Sequence, residues 1–151
     1  MKSLKVQFFL DETQDKLNPF SVLKSEIKPD KGWVNAIRVS IKMSLRQLGE
    51  RLHITPQGVR DLEKREKEGA ITINTLKEVG RVLDMDLVYG FISRHNSLEE
   101  MIEERAREIA EEVVIKAIKL NNQKNSENDV KKAIQQKTYE ISSKMPSNLW
   151  D

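Results

Sequence analysis

Residues 57–64 carry side chains that can contact DNA at helical spacing: Gln57, Arg60, Asp61 and Lys64, with Gly58 among them. An amide such as that of Gln57 can pair bidentately with adenine, and a guanidinium such as that of Arg60 can pair with guanine. A lysine is better suited to a phosphate. If this segment is a helix, its polar side could therefore enter the major groove.

Two short amphipathic helices are predicted around these residues. Leu45, Leu48 and Leu52 follow one another at the three- and four-residue intervals of an apolar stripe, which predicts a first helix packed by that side. The buried side of a second helix is supplied by Ile54, Val59 and Leu62. Residues 44–63 therefore indicate a helix-turn-helix, with its turn at residues 53–56.

The starts of both helices are marked by local chemistry. Ser44 and Gln47 have the spacing of a capping box, in which each side chain binds the backbone N–H of the other residue. Thr55 followed by Pro56 gives an N-cap residue with proline at the first helical position. Both helices are thus predicted independently of their apolar stripes.

Two positions near the turn have steric requirements. Gly49 has no side chain, so we expect it to let the second helix lie close across the first. His53 stands where such motifs usually have glycine, so it must accept a positive φ, which His tolerates better than most residues. We interpret His53 as structural and not as a ligand.

A simpler interpretation is a helical hairpin whose polar residues are only solvated. The small residue, the apolar positions and both caps all agree with the helix-turn-helix, and so we favour DNA binding. The base-contacting residues are then expected to be Gln57, Gly58, Arg60 and Asp61. The DNA backbone is expected to be contacted by Ser44, Gln47, Lys64, Arg65, Lys67 and Asn74.

Residues 32–43 before the motif and 71–83 after it also have apolar stripes. These are Val34, Ile37 and Ile41 in the first segment, and Leu76, Val79, Val82 and Leu83 in the second. With its flanking helices the motif resembles the phage-repressor class of helix-turn-helix, called the Xre or Cro/C1 type. In that class an arginine of the first helix pairs with a glutamate at the end of the recognition helix, which implies an ion pair between Arg38 and Glu63.

A closer resemblance extends over most of residues 10–108. It rests on the segments Leu-Asn-Pro-Phe (17–20), Lys-Pro-Asp-Lys-Gly-Trp (28–33), Asp-Leu-Glu-Lys-Arg-Glu-Lys-Glu-Gly-Ala-Ile-Thr (61–72) and Leu-Val-Tyr-Gly-Phe (87–91). These are similar to the bacterial mobile mystery protein A family, whose members are Xre-type regulators encoded beside a Fic-domain protein. The resemblance implies an antitoxin-like regulator with a Fic-domain partner. Gly58 departs from the serine or threonine common there, and the chain after about residue 120 carries no family pattern that we recognise.

Composition favours a cytoplasmic protein with one compact domain and appendages, because 151 residues can bury one core but hardly two. The sequence has no cysteine, which excludes disulfides and cysteine-zinc sites. The apolar residues 6–10 are too few for a signal peptide or membrane span. Residues 1–97 have 17 Lys and Arg against 13 Asp and Glu, whereas residues 98–120 have 4 against 7. The basic surplus thus lies with the motif.

Residues 86–93 are rich in β-formers and predict one short strand in an otherwise helical chain. A lone strand needs a partner for its backbone groups. The partner could be residues 6–10 or the same strand of a second copy, and we favour the second copy, because repressors of this type contact paired half-sites as dimers. In that case Leu87, Tyr89 and Phe91 belong to the dimer strand. Without any ladder, the same three residues would be core filler.

Residues 97–120 predict an amphipathic helix that begins at a further capping box. Its acidic face includes Glu100, Glu104 and Glu108 at helical intervals, which could suggest a metal-carboxylate enzyme. No Glu-x-x-His pair accompanies them, and we interpret the face as solvated, with early glutamates favoured by the helix dipole. The tail, residues 121–151, is expected to contain a final helix near 130–143.

The sequence therefore predicts a mainly α protein: a phage-repressor-like helical bundle with a helix-turn-helix, one short intermolecular strand and C-terminal helices. The expected divisions are an N-terminal helical extension (1–31), the DNA-binding domain (32–85), the dimer strand (86–93), an amphipathic helix (97–120) and the tail (121–151). The predicted function is a dimeric transcriptional repressor bound to double-stranded operator DNA, with a protein-binding antitoxin as the alternative. Neither His53 nor His95 has a partner spaced for catalysis, and no catalytic residue, metal or cofactor is predicted.

Overall fold

The computed structural model describes residues 3–23, 27–122 and 124–151. These residues form seven α-helices: α1 (Leu4–Leu17), α2 (Trp33–Ser40), α3 (Leu45–Leu52), α4 (Pro56–Glu68), α5 (Ile73–Val82), α6 (Leu98–Asn121) and α7 (Glu127–Lys144). A 3₁₀ helix, Asn18–Val22, follows α1. The mainly helical architecture agrees with the prediction. The predicted extension and tail also include residues 1, 2, 24–26 and 123, which lie outside the described part.

The described residues contain no β-strand, and residues 85–93 have no regular secondary structure. Pairing of residues 86–93 with residues 6–10 is wrong, because residues 6–10 lie within α1. A helix bonds its backbone N–H and C=O groups internally, so it offers no edge for a β-ladder. The apolar side chains of Val88, Tyr89 and Phe91 are mostly exposed. Of the three residues in the core-filler alternative, Tyr89 and Phe91 are therefore outside the core, whereas Leu87 is half-buried.

The chain divides into two compact units. The central unit is Leu23–Gly90, and the flanking unit combines Met1–Val22 with Phe91–Asp151. Each unit has its own buried apolar cluster. The expectation of a single core is wrong, because α1, α6 and α7 pack their apolar stripes into a second one.

The central unit packs α2–α5 around a small core. Its buried members are Val34, Leu48, Val59, Leu62 and Val79. The partly buried residues against them include Leu45 and Leu52, which completes the predicted leucine stripe of α3. Every helix of this unit thus contributes at least one fully buried aliphatic side chain.

In the flanking unit, the start of α6 packs against the end of α7. Ile102, Ala106 and Ala110 of α6 are buried together with Ile141 of α7 and Leu149 of the tail. Arg105 holds the tail in place, since its Nε donates to the Leu149 carbonyl at 2.8 Å and its Nη2 to the Asp151 carbonyl at 2.6 Å. The helix α1 joins them through Gln14, whose Oε1 accepts the Leu98 N–H at 2.9 Å.

The three glutamates of α6 that recur at helical intervals each have a neighbour within the chain. Glu104 lies 3.0 Å from His95 Nδ1, and Glu108 accepts from Arg105 at 2.9 Å. Glu100 accepts the Asn96 N–H at 2.5 Å, while its own N–H donates to the N-cap Ser97 at 3.1 Å. These glutamates thus stabilise the start of α6 and the chain before it.

The turn between α3 and α4 is fixed by the local signals in the sequence. The capping box of Ser44 and Gln47 is present, and Thr55 caps α4 with Pro56 at its first position. His53 ends α3 in the left-handed region at φ 56°, as predicted. A Cβ on Gly49 would lie 2.6 Å from the Ile54 carbonyl oxygen. The close neighbour of Gly49 is therefore the backbone of the turn, before α4 begins.

We expect Gly49→Ala to lower the free energy of unfolding by about 1–3 kcal/mol, because the new methyl group meets a backbone atom that cannot rotate away. Urea unfolding followed by circular dichroism measures this. The control is Gly58→Ala, whose Cβ would have its nearest neighbour at 3.3 Å, the Thr55 hydroxyl. That variant should lose much less stability than Gly49→Ala, since its contact is with side-chain atoms that can shift by a few tenths of an ångström and alanine favours helix over glycine. Equal midpoints for the parent and Gly49→Ala would contradict the steric assignment.

Candidate nucleic-acid interface

Helix α4 has a buried side and an exposed side. Val59, Leu62, Glu63 and Glu66 are buried at the intervals of one helical stripe. The opposite side, which is exposed, carries Gln57, Arg60, Asp61, Lys64 and Glu68. The predicted DNA-contacting row of the sequence is thus brought onto one accessible surface of α4.

The four predicted base-contacting residues differ in what they offer. Gln57, Arg60 and Asp61 are exposed, and Gln57 Nε2 donates to Asp61 Oδ1 at 3.0 Å. Gly58 is half-buried, and its N–H donates to the Thr55 hydroxyl at 3.0 Å. Because Gly58 has neither a side chain nor a spare N–H, the groups available for a base edge come from the other three.

The six residues predicted to contact the DNA backbone are all exposed. They lie at the start of α3 (Ser44, Gln47), on α4 (Lys64, Arg65, Lys67) and on the first turn of α5 (Asn74). Ser44 and Gln47 are held by their capping box, in which Gln47 Oε1 accepts the Ser44 N–H at 2.8 Å. The amide of Gln47 therefore keeps its N–H groups for an external acceptor.

Arg38 and Glu63 form an ion pair between α2 and α4. Arg38 Nε lies 2.5 Å from Glu63 Oε1, and Arg38 Nη2 lies 3.2 Å from Glu63 Oε2. Both side chains are about nine-tenths buried, with 11% and 10% of their areas exposed. Asn35 adds a third hydrogen bond to Glu63 at 2.8 Å. Arg38 also donates to the Met43 carbonyl at 3.0 Å, which fixes the chain that leads to α3.

Glu66 makes a second connection between the same helices, which the sequence analysis missed. Its carboxylate accepts the N–H groups of Trp33 at 2.6 Å and Val34 at 2.8 Å, and thereby caps α2. The N-cap residue of α2, Gly32, provides no side chain of its own for this purpose. One signal for this contact was present in the sequence: helical periodicity places Glu66 on the same side of α4 as the apolar Val59, which indicates a buried acid in need of a partner.

The segment formed by residues 34–89 is only slightly basic in composition, but its surface is more basic. Residues 34–89 have ten Lys and Arg against eight Asp and Glu. Two of the acids, Glu63 and Glu66, are buried, whereas Arg38 is the one basic residue drawn into the interior with them. Burial therefore removes more negative than positive charge from the surface of this segment.

Residues 34–89 match the family model described as helix-turn-helix. The match runs from the second residue of α2 through α5 to residue 89, so this part of the central unit is similar to helix-turn-helix domains of the Xre, or Cro/C1, type. In it, α3 is the first helix of the motif and α4 is the second. Comparisons with curated proteins and with solved structures returned no match.

The described part of the chain contains neither a candidate membrane span nor a cluster of metal ligands. None of its helices is long and apolar enough to cross a membrane. Nor do three or more His, Asp or Glu side chains in that part come together as metal ligands would.

Removing the charge of Glu63 should be strongly destabilising. Glu63→Gln leaves the guanidinium of Arg38 buried without its counter-ion, which costs about 3–5 kcal/mol in buried pairs. Thermal or urea unfolding measures the loss. A parent-like midpoint for this variant would show that the pair contributes little.

The matched control is Glu78→Gln on α5. Arg81 Nη2 lies 2.6 Å from Glu78 Oε1, but both side chains are mostly exposed. The hydrogen bond from Arg81 lowers the pKa of Glu78, so this pair is also charged at neutral pH. Because solvent screens an exposed pair, its loss should leave the unfolding midpoint nearly unchanged.

Proposed function

We propose that the chain is a sequence-specific transcriptional regulator that binds double-stranded DNA through α4. The observation that carries the proposal is the exposed row of Gln57, Arg60, Asp61 and Lys64 on the second helix of a helix-turn-helix domain. In this class of domain the second helix lies in the major groove, and the residues near its N-terminus contact base edges. Gln57 and Arg60 lie in its first two turns.

The roles of the surrounding residues follow from their places. Gln47 at the start of α3 and Lys64 further along α4 lie on either side of the base-contacting residues in the sequence, where they can bind phosphates. Phosphate contacts fix the orientation of the helix and add affinity for any DNA sequence, whereas base contacts supply the specificity. The ion pair of Arg38 and Glu63 holds α4 against α2 on the buried side of α4, opposite the exposed row.

The test is selection of DNA sites in vitro with the purified chain, followed by binding of Gln57→Ala and Arg60→Ala to the selected site and to scrambled DNA. Each variant should lose about 1–3 kcal/mol on the selected site and much less on scrambled DNA, because bidentate base contacts are lost. Lys132→Ala, an exposed basic residue of α7, is the control and should bind as the parent does. If no site is enriched, or if both variants lose equally on both DNAs, base recognition by this helix is refuted.

We further propose that the protein acts as a homodimer, and as a repressor, with two α4 helices placed about one turn of DNA, roughly 34 Å, apart. The support is the segment 86–93, in which Val88, Tyr89 and Phe91 are 74%, 62% and 81% exposed. A run of exposed apolar residues without a ladder partner suits pairing with the same segment of a second copy. Such a two-fold contact would convert this segment into a strand, which the described residues of a single copy do not contain.

Tyr89→Pro tests this dimer. Proline removes a ladder donor and fixes φ, so it should shift the protein towards monomer in sedimentation without altering the DNA-contacting surface. Tyr89→Phe, which keeps the aromatic ring and the N–H group, is the control and should remain dimeric. A parent protein that is monomeric at tens of micromolar, or a fully dimeric Tyr89→Pro, would exclude this segment as the dimer contact.

An antitoxin-like function with a Fic-domain partner is implied by the resemblance to the mobile mystery protein A family. It is compatible with DNA binding, because the C-terminal helices of the flanking unit would form the contact. Exposed apolar residues of that unit, such as Leu120 and Trp150, could contribute to it. We propose DNA binding as the principal function.

A further inference from the structure

The hydrogen bond between Gln57 and Asp61 adds a constraint to the proposed interface. Both residues lie on the exposed side of α4, one helical turn apart, and Gln57 Nε2 donates to Asp61 Oδ1 at 3.0 Å. Asp61 is otherwise unexpected there, because a carboxylate repels the phosphates of any DNA that α4 approaches. Its contact with Gln57 offers a role for the acid on this side of the helix.

The contact determines which groups of the Gln57 amide remain available. A glutamine amide has two N–H donors and one carbonyl acceptor. One N–H is directed to Asp61, so the carbonyl oxygen and the second N–H are left for a ligand. The flipped amide would bring the carbonyl of Gln57 against the carboxylate of Asp61, and the two acceptors would repel each other. Asp61 therefore selects one of the two amide orientations.

The remaining acceptor and donor match the major-groove edge of adenine. Adenine presents the N6 amino group as a donor and N7 as an acceptor, whereas guanine presents two acceptors, O6 and N7. An amide held in one orientation can satisfy adenine, but it would place its carbonyl oxygen against guanine O6. A rotating amide would discriminate less well, because part of its population has the wrong orientation.

We propose that Asp61 is a positioning residue that orients the Gln57 amide to recognise adenine, and that this pair is a specificity determinant of the site. The proposal rests on the proposed DNA-binding function. In this proposal Gln57 contacts adenine, and Asp61 binds the Gln57 side chain instead of the DNA.

The experiment uses the full chain and the site obtained by selection. The position contacted by Gln57 is the one at which Gln57→Ala loses its base preference. At this position the natural base is replaced by 7-deazaadenine, which lacks the N7 acceptor, and by purine, which lacks the N6 amino group. Binding of the parent, Gln57→Ala, Asp61→Ala and Glu68→Ala is then measured on each duplex by fluorescence anisotropy.

Glu68→Ala is the matched control, because it removes a carboxylate from the same exposed side of α4, two turns beyond Asp61. Lys64 lies 3.9 Å from Glu68, so this acid also has a neighbour at a spacing of four residues. Any general gain in affinity from the loss of one negative charge should appear in both Asp61→Ala and Glu68→Ala. Only Asp61→Ala should change the base preference.

The parent should prefer adenine and lose roughly five- to hundredfold in affinity with either analogue, as expected for a bidentate contact. Gln57→Ala should be insensitive to both analogues. Asp61→Ala should bind scrambled DNA as well as the parent or better, while its preference for adenine over guanine falls at least threefold. Glu68→Ala should keep the preference of the parent.

Three results would overturn the proposal. The first is a base other than adenine at the position where Gln57→Ala loses its base preference. The second is an Asp61→Ala variant that keeps the full preference for adenine over guanine. The third is a Glu68→Ala variant that loses this preference to the same extent as Asp61→Ala. Each of these results still requires a selected site and leaves the DNA-binding function intact. Failure to enrich any site would instead refute the proposed function itself, so the two failures are distinguishable.

Discussion

The central unit depends on two buried carboxylates of α4, each bound by α2. Glu63 pairs with Arg38, and Glu66 accepts two backbone N–H groups at the start of α2. A buried carboxylate is costly unless it is paired and hydrogen-bonded, so α4 cannot adopt its position without α2. The exposed side of α4 is consequently oriented by polar contacts on its buried side, in addition to the apolar core.

Most of the helical framework could be predicted because its signals are local. The caps of Ser44 and Thr55 and the left-handed turn residue His53 each depend on a few neighbouring residues, and all three are present in the structure. The exposed row on α4 was predictable for the same reason, since a helix that buries Val59 and Leu62 must present the residues between them to solvent. Local chemistry and helical periodicity thus sufficed for the position of the candidate site.

The features that were missed depend on residues far apart in the sequence. Residues 86–93 have the composition of a strand, but a strand needs a partner for its backbone groups. Residues 6–10 cannot be that partner, because their backbone groups are hydrogen-bonded within α1. The contact between Glu66 and Trp33 spans 33 residues of sequence, so local patterns could not identify the partner of this acid. The second core was missed because chain length alone does not reveal that α1 packs with α6 and α7.

The cap of α2 also has a consequence for the order of folding. The start of α2 has no capping side chain of its own. Its first two N–H groups donate to the carboxylate of Glu66, which lies about 33 residues later in the chain. Helices α3 and α4, by contrast, carry their caps within three residues. The pair α3–α4 can therefore form early, whereas α2 becomes stable only on docking, since its contacts must close a longer loop. In native-state hydrogen exchange, the amides of Trp33 and Val34 would then report the undocking of α2 from α4.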